Sequence, residues 1–92
     1  LRERKQFWIL LISGIAERES SFDANANVME PLPLSERSIG LMQLSLTDAR
    51  DFEYHFTDEA QIAGPQQNLD CATHIIATLI ARVVRTRRRR IR

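Results

Sequence analysis

Residues 14–26 read GIAERESSFDANA, and they follow directly on the apolar stretch FWILLISGIA at residues 7–16. A second short block, SIGLMQ, stands at residues 38–43, twelve positions after the first block ends. An ionised carboxylate is costly next to buried apolar side chains. Glu19, at the end of this apolar segment, is therefore the first candidate for a chemical rather than a packing role.

The first sixteen residues, LRERKQFWILLISGIA, have two interpretations. A basic start, an apolar stretch and small residues at the end imitate a secretory signal. However, Phe7, Leu10 and Ile15 follow helical spacing, the apolar run is too short to span a bilayer, and no clean cleavage site precedes ERES. We therefore predict a retained, buried helix.

Turn-forming residues dominate residues 20–37, which are rich in Ser, Asn and Pro and are predicted to be loop. Asp23 and Asn25 suit local turn hydrogen bonds. The sequence PLP at residues 31–33 excludes a regular helix there.

Helix-boundary signals mark the rest of the chain. Ser45 with Asp48 predicts a capped helix start, and Thr57 is expected to cap a short turn that Gly64 closes. Pro65 suits the first position of the last helix. Its expected inner stripe is Leu69, Ala72, Ile76, Leu79 and Val83, widened by Ile75 and Ile80. The predicted fold class is all-α.

Composition allows one small domain of 92 residues, with 43% hydrophobic residues and one cysteine. Cys71 alone excludes an internal disulfide and a cysteine-based metal site, and we expect it to be buried. His55 and His74 lack a plausible ligand cluster, so no metal and no cofactor are predicted.

Charge is distributed very unevenly. Residues 82–92 hold seven of the 13 cations and no acid, so residues 1–81 hold six cations against all 12 acids. We divide the chain into a domain at residues 1–84 and an arginine-rich tail at residues 85–92. The tail is either a solvated end or a contact for an anionic surface. No aromatic residues interleave with the arginines, so no specific nucleic acid is expected.

Three blocks in order, GIAERESSFDANA, SIGLMQLSLTDA and GPQQNLDCATHIIATLI, give the chain a family resemblance. It resembles the lytic transglycosylases of the lysozyme superfamily, in a soluble lytic transglycosylase-like domain. Glu-Ser-x-Phe, Gly-Leu-Met-Gln and Pro-x-x-Asn are the motifs that match, over roughly residues 8–81. The resemblance implies a lysozyme-like, mainly helical domain.

The resemblance also implies site residues. Glu19 would be the catalytic acid, and Ser20 would help to orient it. The residues Ser38, Gly40, Met42 and Gln43 would line a sugar groove: Gly40 through close backbone approach, Met42 as an apolar wall, and Gln43 through its amide.

One family segment is missing. The family continues into helices that hold a Tyr-Asn-Ala-Gly-like segment, whereas this chain passes from Val84 into arginines. Tyr54 is the only tyrosine and lies in another context. The domain is therefore interpreted as truncated in its C-terminal part, which would leave the acid wetter and apolar surface exposed for self-association.

The implied chemistry is cleavage of the MurNAc–GlcNAc β-1,4 bond of bacterial peptidoglycan, outside the cytoplasm. An apolar surrounding of Phe22 and Met42 would favour the protonated form of Glu19. No second acid has a comparable motif, so the substrate's own 6-hydroxyl would attack and give a 1,6-anhydro-muramyl product. The alternatives are hydrolysis by a water and a remnant that binds glycan without turnover.

Overall fold

The computed structural model describes residues 2–32 and 35–91. Within these residues there are four helices and one small two-stranded antiparallel sheet, which confirms the prediction of a mainly helical domain. In chain order the elements are α1 (Arg2–Ser20), β1 (Asn27–Met29), β2 (Arg37–Ile39), α2 (Leu46–Asp51), α3 (Glu59–Ala63) and α4 (Pro65–Ile91).

The small sheet is where the sequence prediction of a loop at residues 20–37 is wrong. Strand β1 pairs with β2 so that Val28 lies opposite Ser38. One further bond, from Glu30 N to Glu36 O at 2.7 Å, prolongs the pairing beyond the strands. Each strand has only three residues, too few for the alternation of apolar and polar side chains that predicts a strand.

Capping signals located the short helices to within one residue. Ser45 and Asp48 form the predicted capping box at the start of α2, with each side chain accepting from the other's backbone N–H. The cap of α3 is Asp58, whose side chain accepts from Gln61 N, and not Thr57 as predicted. Asp58 is the better acceptor because its carboxylate carries charge to the helix N-terminus.

Helix α4 begins at Pro65, as predicted, immediately after Gly64 closes α3. It then continues without a break across the expected boundary between residues 84 and 85. The arginine-rich tail is therefore helical as far as Ile91, and the side chains of residues 81–90 are exposed. Pro65 suits this start because its fixed φ is already helical. The N–H at the first helical position has no acceptor within the helix, so its absence in proline costs no hydrogen bond.

Two small clusters form the core. The first holds Ile39, Ala49, Ile62 and Cys71, and so joins β2 to α2, α3 and α4. The second holds Ala16, Met42 and Ala72, and joins α1 to α4 through the loop after β2. Ile12, Ile15, Leu69 and Ile76 pack against this second cluster.

The predicted apolar stripes are buried only where α1 and α4 meet these clusters. Towards the start of α1, Phe7 is 53% exposed and Leu10 is 74% exposed, so the expectation of a fully buried helix is wrong there. Towards the end of α4, Leu79 and Val83 are 45% and 64% exposed. Among the helices the structure describes, none is long and apolar enough to cross a bilayer.

Candidate functional site

The loop at residues 40–43 contacts the last turn of α1. Ser20 Oγ lies 2.8 Å from Leu41 O and 3.0 Å from Ala16 O, so its single proton can serve either carbonyl. The first bond joins residues that are 21 positions apart. Ser20 therefore fixes the loop against the helix end that carries Glu19, which is a broader role than the predicted one of orienting its neighbour.

Asn68 holds the same loop from the core side. Its side chain is 0% exposed. Oδ1 accepts from Met42 N at 2.8 Å, and Nδ2 donates to Ile39 O and Ile62 O, both at 2.9 Å. One amide thus satisfies three buried backbone groups and ties α4 to β2, to α3 and to the loop.

Gly40 makes this close approach possible. Its φ of +80° lies in the left-handed region that favours glycine. A Cβ there would stand 2.5 Å from Asn68 Nδ2. Both observations confine position 40 to glycine, and they explain the residue through packing against Asn68 rather than through contact with a sugar.

Gln43 closes the loop on itself. Its Nε2 donates to Ala26 O at 3.1 Å and to Gly40 O at 3.0 Å. Gly40 N also donates to Ala26 O, at 2.8 Å. The amide that was predicted to line the sugar groove is bonded to backbone in this structure.

Met42 is the residue predicted to form an apolar wall of the groove. Its side chain is 5% exposed and packs with Ala16 and Ala72. It lines a small apolar cavity of about 150 Å³ together with Ile15 and Ile76. Its backbone N–H is bonded to Asn68 of α4, and its side chain lies in the core between α1 and α4.

Glu19 lies in the last turn of α1, and its side chain is exposed. Ser21 and Phe22 follow with φ of 53° and 63°, so two consecutive non-glycine residues take the left-handed conformation where the chain leaves the helix. Phe22 is 56% exposed. The expected enclosure of Glu19 by Phe22 and Met42 is therefore absent within residues 2–32 and 35–91.

A polar cleft lies on the outer face of the hairpin. Ile39 points into the core, so its strand neighbour Ser38 faces the opposite side. Ser38 Oγ donates to Glu30 Oε1 at 2.7 Å. These two residues line a cleft of about 310 Å³ with Glu36, Ser45 and Asp48. Ser38 was a predicted groove residue, whereas Glu30 was missed because only the pairing of β1 with β2 brings it to this face.

Two perturbed groups lie in the first core cluster. Burial raises the pKa of the Cys71 thiol to about 11, with a smaller contribution from Asp48. Burial also raises the pKa of Tyr54, and Asp70 and Cys71 add to the effect. Both groups are inert packing residues near neutral pH. No cluster of three or more potential metal ligands occurs in the part of the chain that the structure describes.

The arginines of α4 surround the end of that helix. Arg82 lies 5.3 Å above the centre of the Phe52 ring, a cation–π distance. An open groove of about 470 Å³ runs along the same part of α4. It is lined by Arg82, Val83, Thr86, Arg87 and Arg90.

Comparison with known proteins gives a family and several similar solved structures. The family model described as Transglycosylase SLT domain matches residues 2–90. No curated protein matches the chain. Among solved structures, DslA in its wild-type form 2 superposes with a TM-score of 0.71 at 26% identity, and a DslA variant superposes with 0.72 at 25%. The match covers 79% of this chain and 42% of the DslA chain.

Two of the matching DslA structures carry a glutamine in place of a glutamate. The two substituted positions are eleven residues apart in DslA. In the present chain, Glu30 follows Glu19 by the same eleven positions.

Proposed function

We propose that this chain, which belongs to the transglycosylase SLT domain family, cleaves the β-1,4 bond between MurNAc and GlcNAc in peptidoglycan, with Glu19 as the acid. Because this substrate lies outside the cytoplasm, the proposed site of action is the cell envelope or beyond it. The chain spans less than half the length of DslA, so the activity is proposed here for the site and not read from a relative.

One observation supports the proposal most directly: the contact between Ser20 and the loop at residues 40–43. The hydrogen bond from Ser20 Oγ to Leu41 O fixes the Gly-Leu-Met-Gln backbone against the helix end that carries Glu19. Asn68 and Gly40 hold the same backbone from beneath. A fixed loop beside the helix end that carries the acid is suited to position a glycosidic bond.

The chemistry begins with a proton. The oxygen of a glycosidic bond is a poor leaving group, and a protonated Glu19 would deliver its proton to that oxygen as the bond breaks. In the free protein Glu19 is exposed. A glycan strand that lies over the helix end would displace water from the carboxyl group and favour its protonated form.

The second half of the reaction supplies the nucleophile. Attack by the substrate's 6-hydroxyl on the anomeric carbon would give a 1,6-anhydro-muramyl end, and the ionised Glu19 would take the hydroxyl proton. An internal nucleophile has a high effective concentration, on the order of 10⁵ M or more when well oriented. Attack by water is the second candidate, since Glu30 on the hairpin supplies a further carboxylate in the same domain.

A candidate of another class is glycan binding without turnover. It is favoured by the exposure of Glu19, because a wet carboxyl group is a poorer acid at neutral pH. The arginines of α4 are proposed to add contact with anionic surfaces, and the exposed apolar side chains of α1 and α4 to allow self-association.

The test compares Glu19→Gln with Glu17→Gln on purified cell-wall sacculi. Glutamine keeps the size of the side chain but has no proton to transfer, so the Glu19 variant should lose about 10²–10⁴-fold in turnover. Glu17, two residues earlier in α1, is also exposed and should tolerate the change. Equal losses in the two variants would show that the acid has been assigned to the wrong residue.

A further inference from the structure

One face of α4 carries exposed apolar side chains that lead directly into arginines. Ile80, Val83 and Val84 are 40%, 64% and 43% exposed. Arg87 and Arg88 follow the two valines by four positions each, so they lie on the same face, one turn further along the helix. Both arginines are exposed. These five residues form a surface about 12 Å long, at 1.5 Å per residue, which is called the α4 face below.

A second row of arginines lies on the other side of the helix. Arg82, Arg85 and Arg89 are spaced by three and four positions and therefore form a row of their own. At 3.6 residues per turn, this row is roughly 160° away from the α4 face around the helix axis. Arg82 packs over the ring of Phe52, so the row begins against the body of the domain. The α4 face is turned away from that contact.

The charges of the α4 face are not neutralised by their neighbours. Among the described residues, the guanidinium groups of Arg87 and Arg88 have no hydrogen-bond or ion-pair partner. Residues 82–92 contain no acid. The face therefore offers two cationic groups and three apolar side chains to whatever lies against it.

We propose that the α4 face docks onto an anionic phospholipid bilayer. Its apolar side chains lie between the lipid headgroups and the first acyl carbons, and its two arginines bind lipid phosphates. This placement is typical of interfacial helices that combine apolar and basic side chains. The inference rests on the anionic contact suggested for α4 in the proposed function, and it narrows that contact to one partner.

The composition of the face favours a bilayer over a soluble polyanion. A polyanion in water would use the charges alone and would leave three apolar side chains exposed. A bilayer interface takes up the apolar side chains, and the planar guanidinium groups bind its phosphates through paired N–H donors. Nucleic acid is disfavoured as well, because α4 contains no Phe, Trp or Tyr on which bases could stack.

A second copy of the chain is also less suited to this face. In a symmetric dimer the same patch faces itself. The α4 face carries no acid, so such a contact would leave the arginines of both copies without a counter-charge. Anionic lipid supplies that charge and an apolar layer together.

The experiment measures co-sedimentation of the 92-residue chain with lipid vesicles at low salt. Vesicles of phosphatidylcholine mixed with phosphatidylglycerol should bind the chain, and vesicles of phosphatidylcholine alone should bind it far more weakly. Replacing both Arg87 and Arg88 by Gln should lower the partition coefficient roughly 30-fold, about fivefold for each arginine near the surface. The matched control replaces Arg85 and Arg89 by Gln. It removes the same charge from the other row and should lower the partition coefficient about fivefold or less.

A second pair of substitutions tests the apolar part of the face. Val83→Ser combined with Val84→Ser should lower the vesicle partition coefficient roughly tenfold, because about half of each apolar side chain no longer gains from leaving water. The same variant should bind polyphosphate as the wild type does, measured by titration calorimetry. If this double variant loses helical signal in circular dichroism, Val83→Ser alone decides, with an expected loss of about threefold.

Three results would overturn the bilayer proposal. Equal losses from the two arginine pairs would show attraction without orientation. Vesicle binding that the valine substitutions leave unchanged would indicate a partner bound by charge alone, such as polyphosphate or nucleic acid. A dimer in light scattering that the valine substitutions dissociate, together with no binding of the wild type to vesicles, would assign the face to a second copy.

The outcome is separable from that of the proposed function. Purified sacculi contain no bilayer, so failure of the wild type to release glycan from them would overturn the assignment of Glu19 while vesicle binding stands. Glycan release without vesicle binding would overturn the role of the α4 face alone.

Discussion

A very small chemical change at Asn68 should cause a large loss in the free energy of unfolding. Asn68→Asp exchanges the NH₂ group for an oxygen of nearly the same size. Met42 N keeps an acceptor, but Ile39 O and Ile62 O lose their donor in a side chain that is 0% exposed. Each unsatisfied buried group costs about 1–3 kcal/mol, so the loss should be about 2–6 kcal/mol at neutral pH. That is a large share of the ~5–14 kcal/mol expected for a domain of this size.

The loss should depend on pH, and the sign follows from the site. Burial raises the pKa of the introduced carboxyl group above its unfolded value of about 3.9, because the charged form is desolvated. Stability is therefore greatest below that unfolded value and is lost as pH rises through the folded value. With a urea m-value of ~2 kcal/mol/M, a loss of about 4 kcal/mol would lower the midpoint by ~2 M.

Urea unfolding followed by circular dichroism at pH 4 and at pH 7 measures both effects. The matched control is Gln66→Glu, the same exchange of amide for carboxyl on α4, at an exposed side chain bonded only to Asp70. That control should change the free energy of unfolding by about 0.5 kcal/mol or less. A midpoint for Asn68→Asp that equals the control at both pH values would refute the view that Asn68 anchors the loop.

Three further predictions concern other parts of the chain. Gly40→Ala should lower the free energy of unfolding by more than about 1 kcal/mol, since the new Cβ meets Asn68 at positive φ. Gly14→Ala in α1, with open space around it, should instead raise the free energy of unfolding by roughly 0.5–1 kcal/mol. Thermal melts compare the two variants. The thiol of Cys71 should resist alkylation at pH 8 in the folded chain and react on unfolding in urea, and rapid alkylation of the folded chain would contradict this. The free energy of unfolding should also fall as pH rises from about 9 towards about 11, because the thiol ionises first in the unfolded chain. Deletion of residues 85–92 should remove helical signal in circular dichroism, because α4 reaches Ile91. It should leave the melting temperature nearly unchanged, because side chains 85–90 are exposed, and a large fall would count against an exposed tail. The deletion should also weaken retention on anionic surfaces at low salt.

Helix ends were predictable from the sequence because they depend on a few neighbouring atoms. The Ser45–Asp48 box and the Pro65 start need only residues three or four positions apart, and both occur where predicted. The expected turn at Asp23 also forms, since Asn25 N donates to its carboxylate at 2.9 Å. The Thr57 cap failed by one residue for the same local reason, because Asp58 stands next to it and accepts better.

The hairpin and its cleft were not predictable in this way. Val28 and Met29 are both 53% exposed, so β1 has no buried face that a sequence pattern could reveal. The pairing of Glu30 with Ser38 joins residues eight positions apart through a turn whose geometry the sequence does not state. The role of Asn68 was likewise invisible, although the Pro-x-x-Asn block that carries it contributed to the family resemblance.

Burial of the two long helices was predicted from the periodicity of their apolar residues alone. Periodicity identifies the apolar face of a helix, but it does not show which other residues pack against that face. Ala16 and Ala72 are buried because the loop carrying Met42 lies between them. Leu10 and Val83 continue the same stripes, yet they are 74% and 64% exposed, since no described residue reaches them. Exposed apolar surface of this kind tends to associate.

The site therefore combines firm positioning with little shielding, and this combination predicts a weak enzyme. Ser20, Gly40 and Asn68 fix the loop, so orientation can contribute to the rate. Glu19 remains exposed, whereas exclusion of water from a site strengthens the interactions that assist proton transfer. A monomer of the 92-residue chain should thus release glycan slowly. Measuring product release from sacculi at neutral pH, with the oligomeric state checked by light scattering, tests this. Rapid turnover by the monomer at neutral pH would mean that bound substrate alone shields the acid, and that the exposed faces of α1 and α4 have no part in catalysis.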